Sequence, residues 1–207
     1  MDFVKKLAGQ TAIYGLSSVV GRLLNYLLVP LYTRYFVPEE YGVVTEIYAY
    51  VAFFVVLLTY GLETAFFRFS NNKDDAKNVY STALVSLIFS SFMFVSILFF
   101  FAPSISGWMG HGIETRFIHW FAIILGVDAI SSISFAKLRK EERAITFATI
   151  QMIGIIINIG LNVYFIVFKS LGIEYIFISN LIASVITLLL LTPEMLKSKL
   201  VFDRKTW

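Results

Sequence analysis

Two residues put formal charges in the middle of long apolar stretches, and the chemistry this chain can do starts with them. Arg22 lies within residues 7–36, fourteen positions from Ala8 and fourteen from Phe36. In a helix that is about 21 Å from either end, too far for the side chain to reach an interface. Asp128 lies twelve residues after Arg116 and nine before Lys137, at a similar depth in another apolar stretch. A charge at mid-membrane costs roughly 2.5–3.5 kcal/mol on insertion scales and normally faces a bundle interior or a wet cavity. A guanidinium there suits a phosphate, and a carboxylate suits a cation. An Arg22–Asp128 pair that only ties two helices is the structural alternative.

Rows of uncharged polar residues accompany them. Gln151, Gly154, Asn158 and Asn162 recur at steps of 3, 4 and 4, and Asn180, Ser184 and Thr187 at 4 and 3. Thr11, Ser18, Arg22, Asn25 and Tyr32 keep to one helical face. Amides and hydroxyls inside a membrane must find partners. A cavity wall offering hydrogen bonds to a polar cargo, or bonds between helices, would each satisfy them. Arg22, Asn25, Asp128, Gln151, Asn158 and Asn162 are therefore the candidate cargo-binding residues. Glu46 and Arg34 lie at matching shallow depths across the turn 37–40, as a surface ion pair or as ion-binding or gating groups. Pro30 removes the hydrogen bond to the Tyr26 carbonyl and predicts a bend, either a static kink or a working hinge.

The elements that position these residues follow from composition. The chain is 58% hydrophobic and 15% charged, too apolar for a soluble domain of 207 residues. Six segments, near 8–36, 41–63, 79–102, 116–136, 144–168 and 173–192, are long enough to cross a hydrocarbon core of about 30 Å. The expected fold is an all-α membrane protein, one bundle of six transmembrane helices. Thirteen of the 17 Lys and Arg fall on the side of the two termini and three on the other, which predicts both termini in the cytoplasm. The basic loop 137–143 is expected to be a solvated turn that sets this orientation and meets anionic headgroups. Pro103 and Pro193 are expected to end the third and sixth segments, and residues 71–75 to form a solvated turn. Thr82, Ser86 and Ser90 read as helix packing. His119, Trp108 and the glycines Gly107, Gly110 and Gly112 read as outer-boundary features, as does His111.

Several classes have no support. The chain has no cysteine, which rules out disulfides, thiolate zinc sites and catalytic thiols. It has no His-Glu-x-x-His helix, no phosphate loop and no loop large enough for a catalytic domain, so no enzyme is expected and no cofactor or metal. The basic residues are dispersed over several loops, which argues against nucleic acid. No cleavable leader or lipidation motif is evident.

An ordered set of local patterns resembles a known family. Gly21-Arg22 with Asn25, then Pro30 with Tyr32-Thr33-Arg34, then Pro38 with Tyr41-Gly42, resemble the opening of bacterial polysaccharide-biosynthesis flippases. Residues 60–69 (YGLETAFFRF) resemble the end of their second helix; 137–143 and 178–184 resemble their fourth loop and sixth helix. The family is the oligosaccharide-flippase branch of the multidrug/oligosaccharidyl-lipid/polysaccharide exporter superfamily. The resemblance implies alternating-access movement of undecaprenyl-diphosphate-linked oligosaccharide across the bacterial inner membrane, often coupled to an ion gradient such as H+ or Na+. Members have two helical lobes, and this sequence shows one. The chain is therefore expected to be the N-terminal half of a longer transporter, with a homodimer as the alternative. Besides membrane lipids, the implied partners are the lipid-linked cargo and the second lobe. A multidrug cation antiporter of the same superfamily, centred on Asp128, is the main alternative; a membrane glycosyl- or acyltransferase is a weaker one.

Overall fold

A computed structural model describes residues 2–70, 73–109 and 113–196, with side chains from 9–70, 76–109 and 113–196. His111, Gly110, Gly112, Asn71 and the basic tail Lys197, Lys199, Arg204 and Lys205 lie outside the described residues, as do the side chains of Lys5, Lys6 and Lys73. The described chain is helical and contains no strand. The helices are α1 Asp2–Tyr26, α2 Leu28–Tyr35, α3 Pro38–Thr59, α4 Leu62–Phe69, α5 Lys73–Met109, α6 Thr115–Lys140, α7 Ala144–Asn162 and α8 Glu174–Leu196. A π-helical turn, Val163–Phe168, extends α7.

Together they make six spans long and apolar enough to cross a membrane, Gly9–Tyr35, Pro38–Phe69, Ala76–Met109, Thr115–Lys140, Ala144–Phe168 and Glu174–Leu196. This is a multi-pass membrane protein. The first span breaks at Leu27, between α1 and α2. That break is one turn before Pro30, where the ring removes the donor for the Tyr26 carbonyl. Extended backbone at Phe36 and Val37 closes the first hairpin, and Pro38 opens α3 at a position that needs no N–H. The second span breaks at Tyr60-Gly61, both left-handed (φ 31° and 75°), a break carried by the one residue type that adopts it freely.

Two proline expectations are corrected. α5 continues through Pro103 to Met109, and α8 continues through Pro193 to Leu196. Each proline removes one hydrogen bond, but its neighbours stay packed: Ala102 is fully buried, and Leu191 and Glu194 are buried on either side of Pro193. α5 also begins at Lys73, so residues 73–75 are helical rather than turn.

α6 is the hub. It packs against α3, α4, α5, α7 and α8, and Leu125, Ile133, Ala136 and Leu138 are fully buried along it. Small residues Ala122, Gly126 and Ala129 let neighbours approach. Phe177 of α8 stacks on Phe117 at 5.3 Å and on Tyr48 at 5.8 Å, joining three spans through aromatic faces. α1 sits at the periphery, contacting chiefly α7, with Leu16, Val19, Leu23 and Tyr26 exposed in the manner of a surface presented to lipid or to another helical body.

The loop 137–143 is not a solvated turn. Arg139 bonds Glu63 at 2.6 Å, and Arg143 bonds Glu194 at 2.6 Å and Glu141 at 3.5 Å. Lys137 donates to the Glu194 carbonyl at 2.9 Å and lies 4.5 Å from the centre of the Tyr80 ring. Lys140 donates to the Ser70 carbonyl, and Gln10 donates to the Glu142 carbonyl at 3.2 Å. The hydrogen bond to Glu194 pushes the Arg143 guanidinium above its ordinary pKa, so the cation persists. Contacts from this loop, which joins the fourth and fifth spans, reach the first, second, third and sixth, at the end of the bundle that holds Gly9 and Leu196.

Candidate functional site

α1, α2, α3, α6, α7 and α8 surround a partly open cavity of about 700 Å³ that runs from Tyr41 and Ile176, near the end of the first hairpin, inward to Phe135 and Gln151. Its polar wall comes from several spans because each contributes one face at helical spacing. α7 presents Gln151, Gly154 and Asn158; α8 presents Asn180, Ser184 and Thr187; α6 presents Asp128, Ser131 and Ser132; α3 presents Tyr41, Thr45 and Tyr48; α1 presents Asn25. Four of the residues singled out from sequence, Asn25, Asp128, Gln151 and Asn158, meet in this one cavity.

The wall is held by side-chain bonds between spans. Asn158 donates to the Asn25 Oδ1 at 3.3 Å, and Asn180 donates to the Tyr48 hydroxyl at 2.7 Å. Ser184 donates to the Asn180 Oδ1 at 3.4 Å and also lies within hydrogen-bonding reach of the Asp128 carboxylate. Gly154 lets α8 approach: a Cβ there would stand 2.5 Å from the Thr187 Oγ1. Gln151 Oε1 is buried without a partner.

Asn162 lies behind the wall. It is fully buried, accepts the Tyr32 hydroxyl at 2.9 Å and donates to the Asn158 carbonyl at 2.8 Å and its Oδ1 at 3.1 Å. It ties the first span to the fifth and has no face on the cavity. Arg22 is exposed, outside the cavity, and makes no ion pair or hydrogen bond among the described residues. The Arg22–Asp128 pair, the structural alternative read from the sequence, is absent among the described residues. Helical phase places Arg22 about 60° around α1 from Asn25 and about 4.5 Å nearer the end that holds Gly9. Gly21, not Arg22, faces α7, against Ile155 and Gln151. Glu46, Arg34 and Pro30 are likewise exposed and off the cavity, and Glu46 and Arg34 form no ion pair. On α3 the cavity face is Thr45 and Tyr48, flanking Glu46.

Tyr41, Thr45 and Tyr48 are the wall residues that a search for charges overlooks, although their steps of 4 and 3 mark one face. Ser131 and Ser132 are similar: they follow Asp128 by three and four positions. His119 is stacked on Phe99 at 4.3 Å, away from the cavity. Among the described residues no cluster of His, Cys, Asp or Glu has the arrangement to hold a metal ion.

No curated protein and no solved structure gives a significant match to the chain. A family model described as "Polysaccharide biosynthesis protein" matches residues 31–206. The match covers all the cavity wall except Asn25 and Leu28, and it excludes Arg22. Spanning most of the sequence, it assigns the chain: it belongs to the polysaccharide biosynthesis protein family.

Proposed function

We propose that this chain moves a lipid-linked oligosaccharide, carried on undecaprenyl diphosphate, across the bacterial cytoplasmic membrane by alternating access. The single observation that carries the proposal is a polar cavity among the membrane-spanning helices, built from six of them, in a chain of the polysaccharide biosynthesis family. Sugar hydroxyls need hydrogen-bonding partners when they leave water, and a wall of amides, hydroxyls and tyrosines offers them. Transport, not bond chemistry, suits a wall with no nucleophile–base arrangement. The excess of Lys and Arg on the side of the termini supports a cytoplasmic placement for the fastened end of the bundle. The exposed face of α1 is a surface that a second lobe, or a second copy, would cover. Coupling to a proton or sodium gradient belongs to the same proposal.

The test is complementation. In a bacterium lacking its own flippase, the chain should restore periplasmic polymer, and collapse of the coupling gradient should stop it. Lipid-linked precursor that stays on the cytoplasmic face despite normal insertion would overturn the proposal. One observation favours a second reading, efflux of organic cations: among the described residues the only charged side chain lining the cavity is Asp128. Accumulation assays with a lipophilic cation separate the two, since only the efflux reading expects lower uptake when the chain is expressed.

A further inference from the structure

Resting on the transport reading, the cavity wall carries information about which glycans fit. Among the described residues it holds one carboxylate, Asp128, and no Lys, Arg or His. The remaining polarity offers both donors and acceptors: the Tyr48 hydroxyl, which accepts from Asn180, keeps its own proton, and Asn25 and Gln151 carry amide N–H groups. Ser131 and Ser132 donate their hydroxyl protons to the Val127 and Ala129 carbonyls of their own helix, and Thr45 donates to Gly42. Their oxygen lone pairs are what remain for a ligand. Gln151 Oε1 is a buried acceptor with no donor. Arg22 is exposed and outside.

The Asp128 carboxylate asks its ligand for donors. Sugar hydroxyls, acetamido N–H groups and amines supply them. An ionised uronate or phosphate substituent supplies only acceptors and brings a second negative charge beside Asp128. Like charges placed together cost several kcal/mol at a desolvated contact. We infer that this cavity is a selectivity filter for non-acidic sugars: it admits the uncharged or amine-bearing part of the glycan and rejects acidic residues through Asp128.

The experiment uses the full chain in lipid nanodiscs and two soluble probes of equal length, a neutral N-acetylhexosamine trisaccharide and a hexuronic acid trisaccharide. Binding is read by saturation-transfer NMR. The neutral probe should bind at least about tenfold more tightly, and Asp128→Asn should narrow the gap to about threefold or less by improving the acidic probe. Equal or tighter binding of the acidic probe to the unsubstituted protein overturns the inference without recourse to any variant. So does a gap that persists in Asp128→Asn, and so does absence of binding by both probes. The parent proposal is read separately in the complementation strain. Equal export of neutral and acidic precursors would leave transport standing and remove the filter; export of neither would remove transport.

Discussion

The two polar regions of this bundle treat the same kinds of side chain in opposite ways. At the end that holds Gly9 and Leu196, charges are matched and fastened: Arg143 to Glu194, Arg139 to Glu63, and Lys137 to the Glu194 backbone. At mid-membrane the polar groups are held in place but left open. Asp128 has the Ser184 hydroxyl within reach but no cation among the described residues, and Gln151 Oε1 has no partner. A buried acceptor with no donor is a net cost, as is a carboxylate without a cation. Unpaired buried atoms occur in both regions, since Arg139 Nε and the Tyr14 hydroxyl also lack partners; what sets the cavity apart is its open volume and a carboxylate with no cation among the described residues. The contrast separates what a helix bundle needs to stay assembled from what it needs to bind.

Substitutions can break that contrast from either side. The largest effect on stability is expected from Glu194→Ala, which leaves Arg143 without its closest partner. Removing one member of a buried pair costs about 3–5 kcal/mol, and the partial exposure of Arg143 puts this case near the lower end, about 3 kcal/mol, in a detergent unfolding titration. Gly154→Val comes next. Its side chain meets Thr187 where α7 and α8 touch, so overpacking should cost about 2 kcal/mol and narrow the cavity. Asn162→Leu removes a bond to Tyr32 and leaves that hydroxyl buried and unpaired, for about 1 kcal/mol. Gln151→Leu should be the smallest of the four, within about 0.5 kcal/mol of the unsubstituted chain, because it deletes an acceptor that has no partner. A Gln151→Leu loss as large as that of Asn162→Leu would make the cavity wall ordinary packing.

Much of this was legible in the sequence, and the rest was not for identifiable reasons. Length and hydropathy placed the six spans, helical spacing singled out Asn25, Gln151 and Asn158, and charge at depth singled out Asp128. The same steps could not distinguish Asn158 from Asn162, one turn apart, although one lines the cavity and the other is fully buried behind it. Depth matched Arg22 to Asp128, but depth says nothing about rotation, and Arg22 turns away. Pro103 and Pro193 looked like stops because a proline removes one helical bond locally; the packing that carries each helix onward comes from distant residues. The loop 137–143 looked solvated because its partners lie far off in sequence, Glu63 in the second span and Glu194 in the sixth. Tyr60-Gly61 carried a signal, a glycine able to adopt positive φ, at a break that hydropathy smooths over.

The most direct test of transport through this cavity is flipping of a labelled polyprenyl-diphosphate oligosaccharide in proteoliposomes, comparing the unsubstituted chain with Gln151→Leu at equal folded amounts. Transport through the cavity predicts flipping by the unsubstituted chain and a rate about tenfold lower in the variant, the equivalent of one lost hydrogen bond to cargo. Equal rates in the two proteins, or a rate in both no greater than that of protein-free liposomes, would contradict it.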